Sequence, residues 1–174
     1  MSRRMRWFAV VPVAVALLGA TLGFAFKGKS DAKAEIKAQV IDPWLVAFKA
    51  KDSAKVMTFY GPGDSVLAFD VVPPRQYATH EAYQKDYEEL FKMIDGPLNA
   101  EVNDLSITSN GSDMAYGHSI DHLAGKTPDG KQIDLTVRVS DVYRKIGGKW
   151  LIVHEHVSVP VDIMTGQADL QSKP

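Results

Sequence analysis

From Trp150 to Ser158 the chain alternates apolar and polar residues in a strand-like run, Trp-Leu-Ile-Val-His-Glu-His-Val-Ser. Strict alternation puts Trp150, Ile152, His154, His156 and Ser158 on one face of a strand, and Leu151, Val153, Val157 and Val159 on the other, interrupted by Glu155. The first face passes from apolar to polar, as the wall of a partly polar pocket would. The second is apolar apart from one carboxylate, and an exposed apolar stripe of that length usually meets another surface.

Upstream, Ile36, Val40, Ile41, Trp44, Leu45 and Phe48 recur at three- and four-residue spacings and predict a helix over 34–51, kinked at Pro43. Ser53 is placed to cap a short second helix running to Phe59. Residues 65–72 read as a strand that ends at Pro73-Pro74, and Thr79 as the cap of a third helix reaching about Ile94. That helix carries Tyr83, Tyr87, Leu90, Phe91 and Ile94 on one stripe, a spacing that a helix core explains without a ligand. Strands at 100–108, 114–123, 132–145 and 149–159 follow, separated by Asn110-Gly111, Pro128-Asp129-Gly130 and Gly147-Gly148. Strands joined by such turns form an antiparallel meander. Helices followed by strands indicate an α+β fold, with helices on one face of a curved sheet.

The N-terminus departs from this pattern. Arg3, Arg4 and Arg6 precede an uncharged stretch from Trp7 to Phe26, with Gly23-Phe24-Ala25 as a small-x-small cleavage site. Residues 1–25 therefore read as an export signal, or, uncleaved, as a membrane anchor of spanning length. Residues 26–33 form a linker, 34–160 the domain and 161–174 a flexible polar tail. Either N-terminal reading places the domain outside the cytoplasm, periplasmic or secreted. Cleavage after Ala25 leaves 17 basic against 21 acidic residues, a net charge near −4, which gives no support to nucleic-acid binding.

The chain has no cysteine, which excludes disulfides, thiolate nucleophiles and cysteine metal sites. Gly61-Pro62-Gly63-Asp64 lacks the Gly-Lys-Ser/Thr ending of a phosphate loop, and no cofactor is expected. Among groups that can carry chemistry, Asp70 follows Leu67-Ala68-Phe69, and Asp141 shares a strand face with Leu135, Val137, Val139 and Tyr143. A carboxylate on an apolar face loses water, and its pKa rises. A structural role is the alternative, with Asp141 bonded to backbone and Asp70 capping a loop. His118 and His122 share a face with Met114, Tyr116 and Ile120, while His154 and His156 fall on the pocket side of the last strand. Same-face neighbours on a strand lie roughly 6–7 Å apart. That suits acid/base or hydrogen-bonding histidines, satisfied core histidines, or two metal ligands needing a third from His118, His122 or Asp141. No metal is expected.

Four segments carry a family resemblance: Trp44-Leu45-Val46-Ala47-Phe48-Lys49-Ala50-Lys51-Asp52, Phe69-Asp70, Val139-Ser140-Asp141-Val142-Tyr143-Arg144-Lys145, and Gly148-Lys149-Trp150-Leu151-Ile152-Val153-His154-Glu155-His156-Val157-Ser158. Together with the element order, they make residues 32–160 similar to the nuclear transport factor 2-like superfamily, in its SnoaL-like and ketosteroid isomerase-like branch. The resemblance implies a cone: a curved antiparallel sheet wrapped around about three N-terminal helices, with an apolar pocket at the open end and dimerisation through the outer sheet face. It matches Asp70 to a general-base position and Asp141 to an acid beside the oxyanion. Where the isomerase places a tyrosine, this chain has Trp44, whose indole N–H donates a hydrogen bond but cannot act as a phenol acid.

The expected site is thus Asp70, Asp141, His154 and His118 as acid/base groups, with Trp44, Tyr60, Phe69, Tyr116, Tyr143 and His156 lining a pocket for a small apolar molecule. Because the superfamily holds isomerases, dehydratases and cyclases beside assembly domains without chemistry, two readings follow. One is isomerase- or dehydratase-type acid/base catalysis. The other is a non-catalytic extracytoplasmic binding or assembly module.

Overall fold

The computed structural model describes residues 31–172. The proposed signal or anchor, residues 1–25, lies outside them, as does most of the linker. Among the described residues no helix is long and apolar enough to cross a membrane.

The first helical segment is three joined pieces. Asp31 caps α1 (Ala32–Ile36), accepting from the N–H groups of Lys33 and Ala34 at 3.1 and 3.3 Å. A π-helical turn (Lys37–Ile41) follows and leads directly into α2 (Asp42–Lys49). Pro43 sits in the first turn of α2. Proline has no N–H and its ring crowds the carbonyl four residues back, so a widened turn just before it lets the helix pass through. The expected kink is therefore a π turn. Asp52, rather than Ser53, caps α3 (Ser53–Met57) by accepting from Lys55 N–H at 2.8 Å. The fourth helix, α4 (His80–Lys92), begins at Thr79 as its sequence predicts, with Thr79 Oγ1 accepting from Ala82 N–H at 3.1 Å.

Five strands form one sheet in the order β1-β5-β4-β3-β2. They are β1 (Leu67–Phe69), β2 (Asp95–Ser109), β3 (Met114–Lys126), β4 (Gln132–Ile146) and β5 (Lys149–Ser158). The first strand is shorter than the expected 65–72 and β2 starts earlier than Ala100. Strands β2 to β5 pair antiparallel, whereas β1 joins the edge of β5 in parallel, with Leu67 opposite His154 and Phe69 opposite His156.

Three register shifts interrupt the sheet, the first between Asp95 and Asn99 at the start of β2. In β2 the register shifts between Asn103 and Ser106, where Asp104 adopts a positive φ of 51°. In β5, His154 pairs with Val142 but Ile152 pairs with the adjacent Tyr143, so Val153 is an extra residue with no partner. An inserted residue of this kind bends its strand and reverses the facing of everything after it.

The helices pack on the concave face. Trp150, Tyr143, Tyr83, Ile36 and Met57 are almost wholly buried between the two layers. Trp150 Nε1 and Lys145 Nζ both donate to Glu35 Oε2 at 2.8 Å, which pins α1 to the end of the sheet. After β5 the chain turns back. Val161 bridges to Ala168, and Thr136 N–H donates to the Leu170 carbonyl at 2.7 Å, holding this segment against β4.

Candidate functional site

Helices α2 and α4 do not close completely onto the sheet. They leave a cavity of about 640 Å³, within the ordinary range for a small-molecule site. Trp44, Leu45 and Phe48 of α2 and Tyr83, Tyr87 and Leu90 of α4 form its helical wall. Alternate residues of the strands form the other wall: Val102 on β2, Leu123 on β3, Val137 and Val139 on β4, and Ile152 and Val157 on β5. Trp44 and Phe48 stack with ring centroids 4.8 Å apart, so the indole forms a flat apolar panel.

Among the polar residues of the lining, Asp70, Asp86, Asp121, Asp141 and Glu155 bring carboxyls to the cavity, beside Ser119, Lys85 and His122. Glu155 is buried, and both of its oxygens are used. Oε2 accepts from Tyr60 Oη at 2.8 Å and Oε1 makes a short bond with Tyr83 Oη. Tyr60 Oη also lies 2.7 Å from Tyr87 Oη, so Tyr87 donates to Tyr60 while Tyr60 donates to Glu155. Tyr83 Oη lies 3.0 Å from Asp70 Oδ2 as well. One phenol carries one proton and cannot donate to two carboxylates. Both contacts are hydrogen bonds only when one of the two carboxyls is itself protonated, so Asp70 and Glu155 share a proton across Tyr83.

Electrostatics favour that state. Burial, then repulsion from Asp141, pushes Glu155 well above the usual carboxylate range. Burial raises Asp70 as well, partly offset by the Tyr83 hydroxyl and by backbone N–H groups including Val71. Burial also takes Asp141 up to about 7, against a bond of 2.7 Å donated by Tyr143 Oη to Oδ2. Asp121 rises to about 6 through burial, opposed by a hydrogen bond with Ser119. None of these four acids has a cationic partner within 4.0 Å among the described residues. Among the described residues three buried side-chain polar atoms are left without a partner: Asp121 Oδ1, Asp141 Oδ1 and Trp44 Nε1. All three residues line the cavity, and orphaned polar groups in such a place are what a ligand would satisfy.

Gly117 permits part of this arrangement. It lies opposite Asp141 across β3 and β4, and a Cβ there would sit 3.2 Å from Tyr143 Cε2 and 3.2 Å from the Ser106 carbonyl oxygen. The missing side chain leaves room for the Tyr143 ring, and that ring delivers its hydroxyl to Asp141.

The residues expected from sequence divide into two groups. Asp70, Asp141 and Trp44 line the cavity. Tyr60 and Tyr143 are buried behind it and hydrogen-bond to its carboxyls. His154, His156, His118, Tyr116 and Phe69 lie elsewhere, which corrects their assignment to the pocket. The extra residue Val153 turns His154 and His156 away and brings Glu155 and Val157 inward. His154 Nδ1 is 2.8 Å from the Leu67 carbonyl oxygen on the edge strand, and Phe69 packs edge-on against the His154 and His156 rings at 5.2 and 5.7 Å. The same reversal removes Val157 from the predicted outer apolar stripe. On β3 the inward face is the one with small residues, Ala115, Gly117 and Ser119, leaving His118 and Tyr116 exposed outside. His122 reaches the cavity mouth, where its Nε2 is 2.8 Å from Asp134 Oδ1. Among the described residues no three His, Asp or Glu side chains cluster as a metal site.

Sequence reasoning missed Glu155, Asp121, Ser119 and Asp86, and it read Tyr83 and Tyr87 as core alone. One signal was present: Glu155 is the single charge in the run Leu151, Val153, Val157, Val159.

A SnoaL-like domain matches residues 38–162. Among solved structures, the chain is similar to an NTF2-like protein of unknown function from Pseudomonas putida KT2440, with 28% identity and a TM-score of 0.71, over 82% of this chain and 98% of that one. It is also similar to a ketosteroid isomerase-like protein from Erwinia carotovora atroseptica, with 18% identity and a TM-score of 0.62, over 74% and 96%. A third likeness is to a protein described as a candidate dehydratase of the NTF2-like family from Streptomyces avermitilis, with 14% identity and a TM-score of 0.61, over 74% and 96%. At such identities the last two share the fold alone. No match is found among curated proteins.

Proposed function

The chain belongs to the SnoaL-like domain family, and from that premise we propose that its cavity binds a small, largely apolar molecule and moves a proton on it, in isomerase- or dehydratase-type chemistry. The observation that carries this reading is the Asp70–Tyr83–Glu155 bridge, in which two carboxyls flank one phenol at the cavity wall. Such a unit takes up a proton at one end and releases one at the other with little movement of heavy atoms. Asp70, held by Val71 N–H at 2.6 Å, is the group that removes a proton from carbon beside a carbonyl. A donor is supplied by the Trp44 indole N–H, unpartnered at the cavity, which stabilises negative charge on the substrate oxygen. Tyr83 and Glu155 then accept or return the proton.

A second reading rests on a different observation. Both Glu155 oxygens are occupied by phenols, as they would be in a rigid structural network. On that reading the domain is a non-catalytic extracytoplasmic binding or assembly module. Under either reading the domain is exported through residues 1–25, cleaved or retained as an anchor, and pairs with a second copy through its outer sheet face, where Met114 and Tyr116 are exposed.

Native mass spectrometry on gently purified protein, followed by transfer of any bound molecule into D2O with fresh enzyme, tests the two readings. Deuterium entering carbon with the parent but not with Asp70→Asn supports catalysis. A retained ligand with no exchange supports the binding module, and an empty protein that retains no small molecule counts against both.

A further inference from the structure

The five acids withdrawn from solvent at the cavity, Asp70, Asp86, Asp121, Asp141 and Glu155, do not make equal use of their oxygens. Asp70, Asp86 and Glu155 each face a tyrosine hydroxyl. Asp121 and Asp141 each keep one buried oxygen, Oδ1, with no partner at all. They project from the same face of adjacent strands, near enough that the charge of Asp121 raises Asp141. Ser119 stands on that face between Gly117, which is opposite Asp141, and Asp121, and it too lines the cavity.

We propose that this end of the cavity holds the protonated amine of an otherwise apolar molecule. The proposal rests on the pocket reading above and names its ligand class. A primary ammonium carries three N–H donors, enough to bond the orphan Asp141 Oδ1 and the Ser119 hydroxyl, with the charge of Asp121 farther along β3. It also supplies the positive charge that these acids lack, and burying a charge is tolerated when it is paired and hydrogen-bonded. A carboxylate or phosphate on the ligand would add negative charge beside acids that have no ion-pair partner among the described residues. A neutral hydroxyl would satisfy one oxygen and bring no positive charge.

Three probes with one hydrocarbon cage and different heads test this: adamantylamine, adamantanol and adamantanecarboxylate, titrated calorimetrically near neutral pH into the full chain and into its Asp141→Asn and Asp121→Asn variants. The amine is expected to bind about tenfold or more tighter than the alcohol, and the carboxylate not measurably, since hydrogen bonds to charged groups are worth roughly 1.5–3 kcal/mol. Asp141→Asn is expected to abolish the margin between amine and alcohol. Alcohol binding as tightly as amine, or a margin that survives both substitutions, overturns the amine assignment and leaves the pocket reading intact. If all three probes fail to bind, both fall. Should the Asn variants not fold, the order of the three probes on the parent decides alone.

Discussion

Asp141 lies directly opposite Glu155 across β4 and β5, and both side chains enter the cavity. Residues so paired have Cα atoms roughly 4.5–5.5 Å apart, too close for two buried carboxylates to ionise together without a cation. The pair therefore titrates as a unit. Replacing Asp141 by Asn removes the charge that helps to raise Glu155 and keeps the shape. Glu155, held well above the usual carboxylate range by burial and then by Asp141, should then titrate lower. Carboxyl carbon shifts followed by NMR across pH would show it, and an unchanged midpoint would mean that burial alone sets the value.

Stability should fall as pH rises. Asp121 and Asp141 have folded values of about 6 and about 7, against 3.8 for the unfolded chain. Between those limits the folded chain holds more protons than the unfolded one, so raising pH favours unfolding. The stabilisation is complete below 3.8 and is lost as pH passes through about 6 and about 7. Urea midpoints measured from acid to mildly alkaline pH should decline by an amount equivalent to a few kcal/mol. A midpoint that instead rises through this range would contradict the buried, unpaired state of these acids. In Asp121→Asn/Asp141→Asn the decline should flatten.

Tyr83→Phe deletes one hydroxyl and strands two carboxyls, since Glu155 Oε1 and Asp70 Oδ2 both face that oxygen. The expected cost is about 1–3 kcal/mol, with the larger loss at alkaline pH, where the stranded groups ionise. Tyr87→Phe, which leaves both Glu155 bonds in place, should cost less. Equal losses from the two changes would show that the bridge has no special role.

Gly117→Ala places a methyl 3.2 Å from the Tyr143 ring and from the Ser106 carbonyl oxygen. Backbone cannot easily retreat inside a sheet, so the ring must shift and its 2.7 Å bond to Asp141 loosens. The expected loss is roughly 1–3 kcal/mol, accompanied by a change in the Asp141 midpoint. A stable variant with an unaltered Asp141 titration would refute the role given to this glycine.

Much of the fold could be read from periodicity. The stripe Tyr83, Tyr87, Leu90, Phe91 and Ile94 defined α4, and the glycine turns after β2, β3 and β4 defined the meander. Asp70 and Asp141 were legible as carboxyls on apolar faces, because β4 keeps strict alternation through Asp141. What escaped is instructive. On β3, the bulky face looked like the inner one, yet the aromatic rings of neighbouring elements fill the interior and require small residues opposite them. In β5 the parity changes midway, and nothing in the residue types of Val153 or its neighbours announces a bulge. Pattern reading thus expected a pocket against the last strand but took His154 as its polar group, where Glu155 lines the cavity.

The bulge can be tested by removing it. Deleting Val153 makes Ile152 and His154 neighbours, as their partners Tyr143 and Val142 already are, so His154 stays outward and Glu155 stays beside Tyr60 and Tyr83. Only the local bend of the extra residue is lost, and the pairing with β1 is kept. The deletion should therefore cost about 1–2 kcal/mol. Val153→Ala keeps the residue count and loses only part of a half-buried side chain, for an expected cost of about 1 kcal/mol. Denaturant unfolding of the two variants separates the hypotheses. If they unfold together, the inward facing of Glu155 does not need the bend; a large gap would show that the bend itself holds β5 in the sheet.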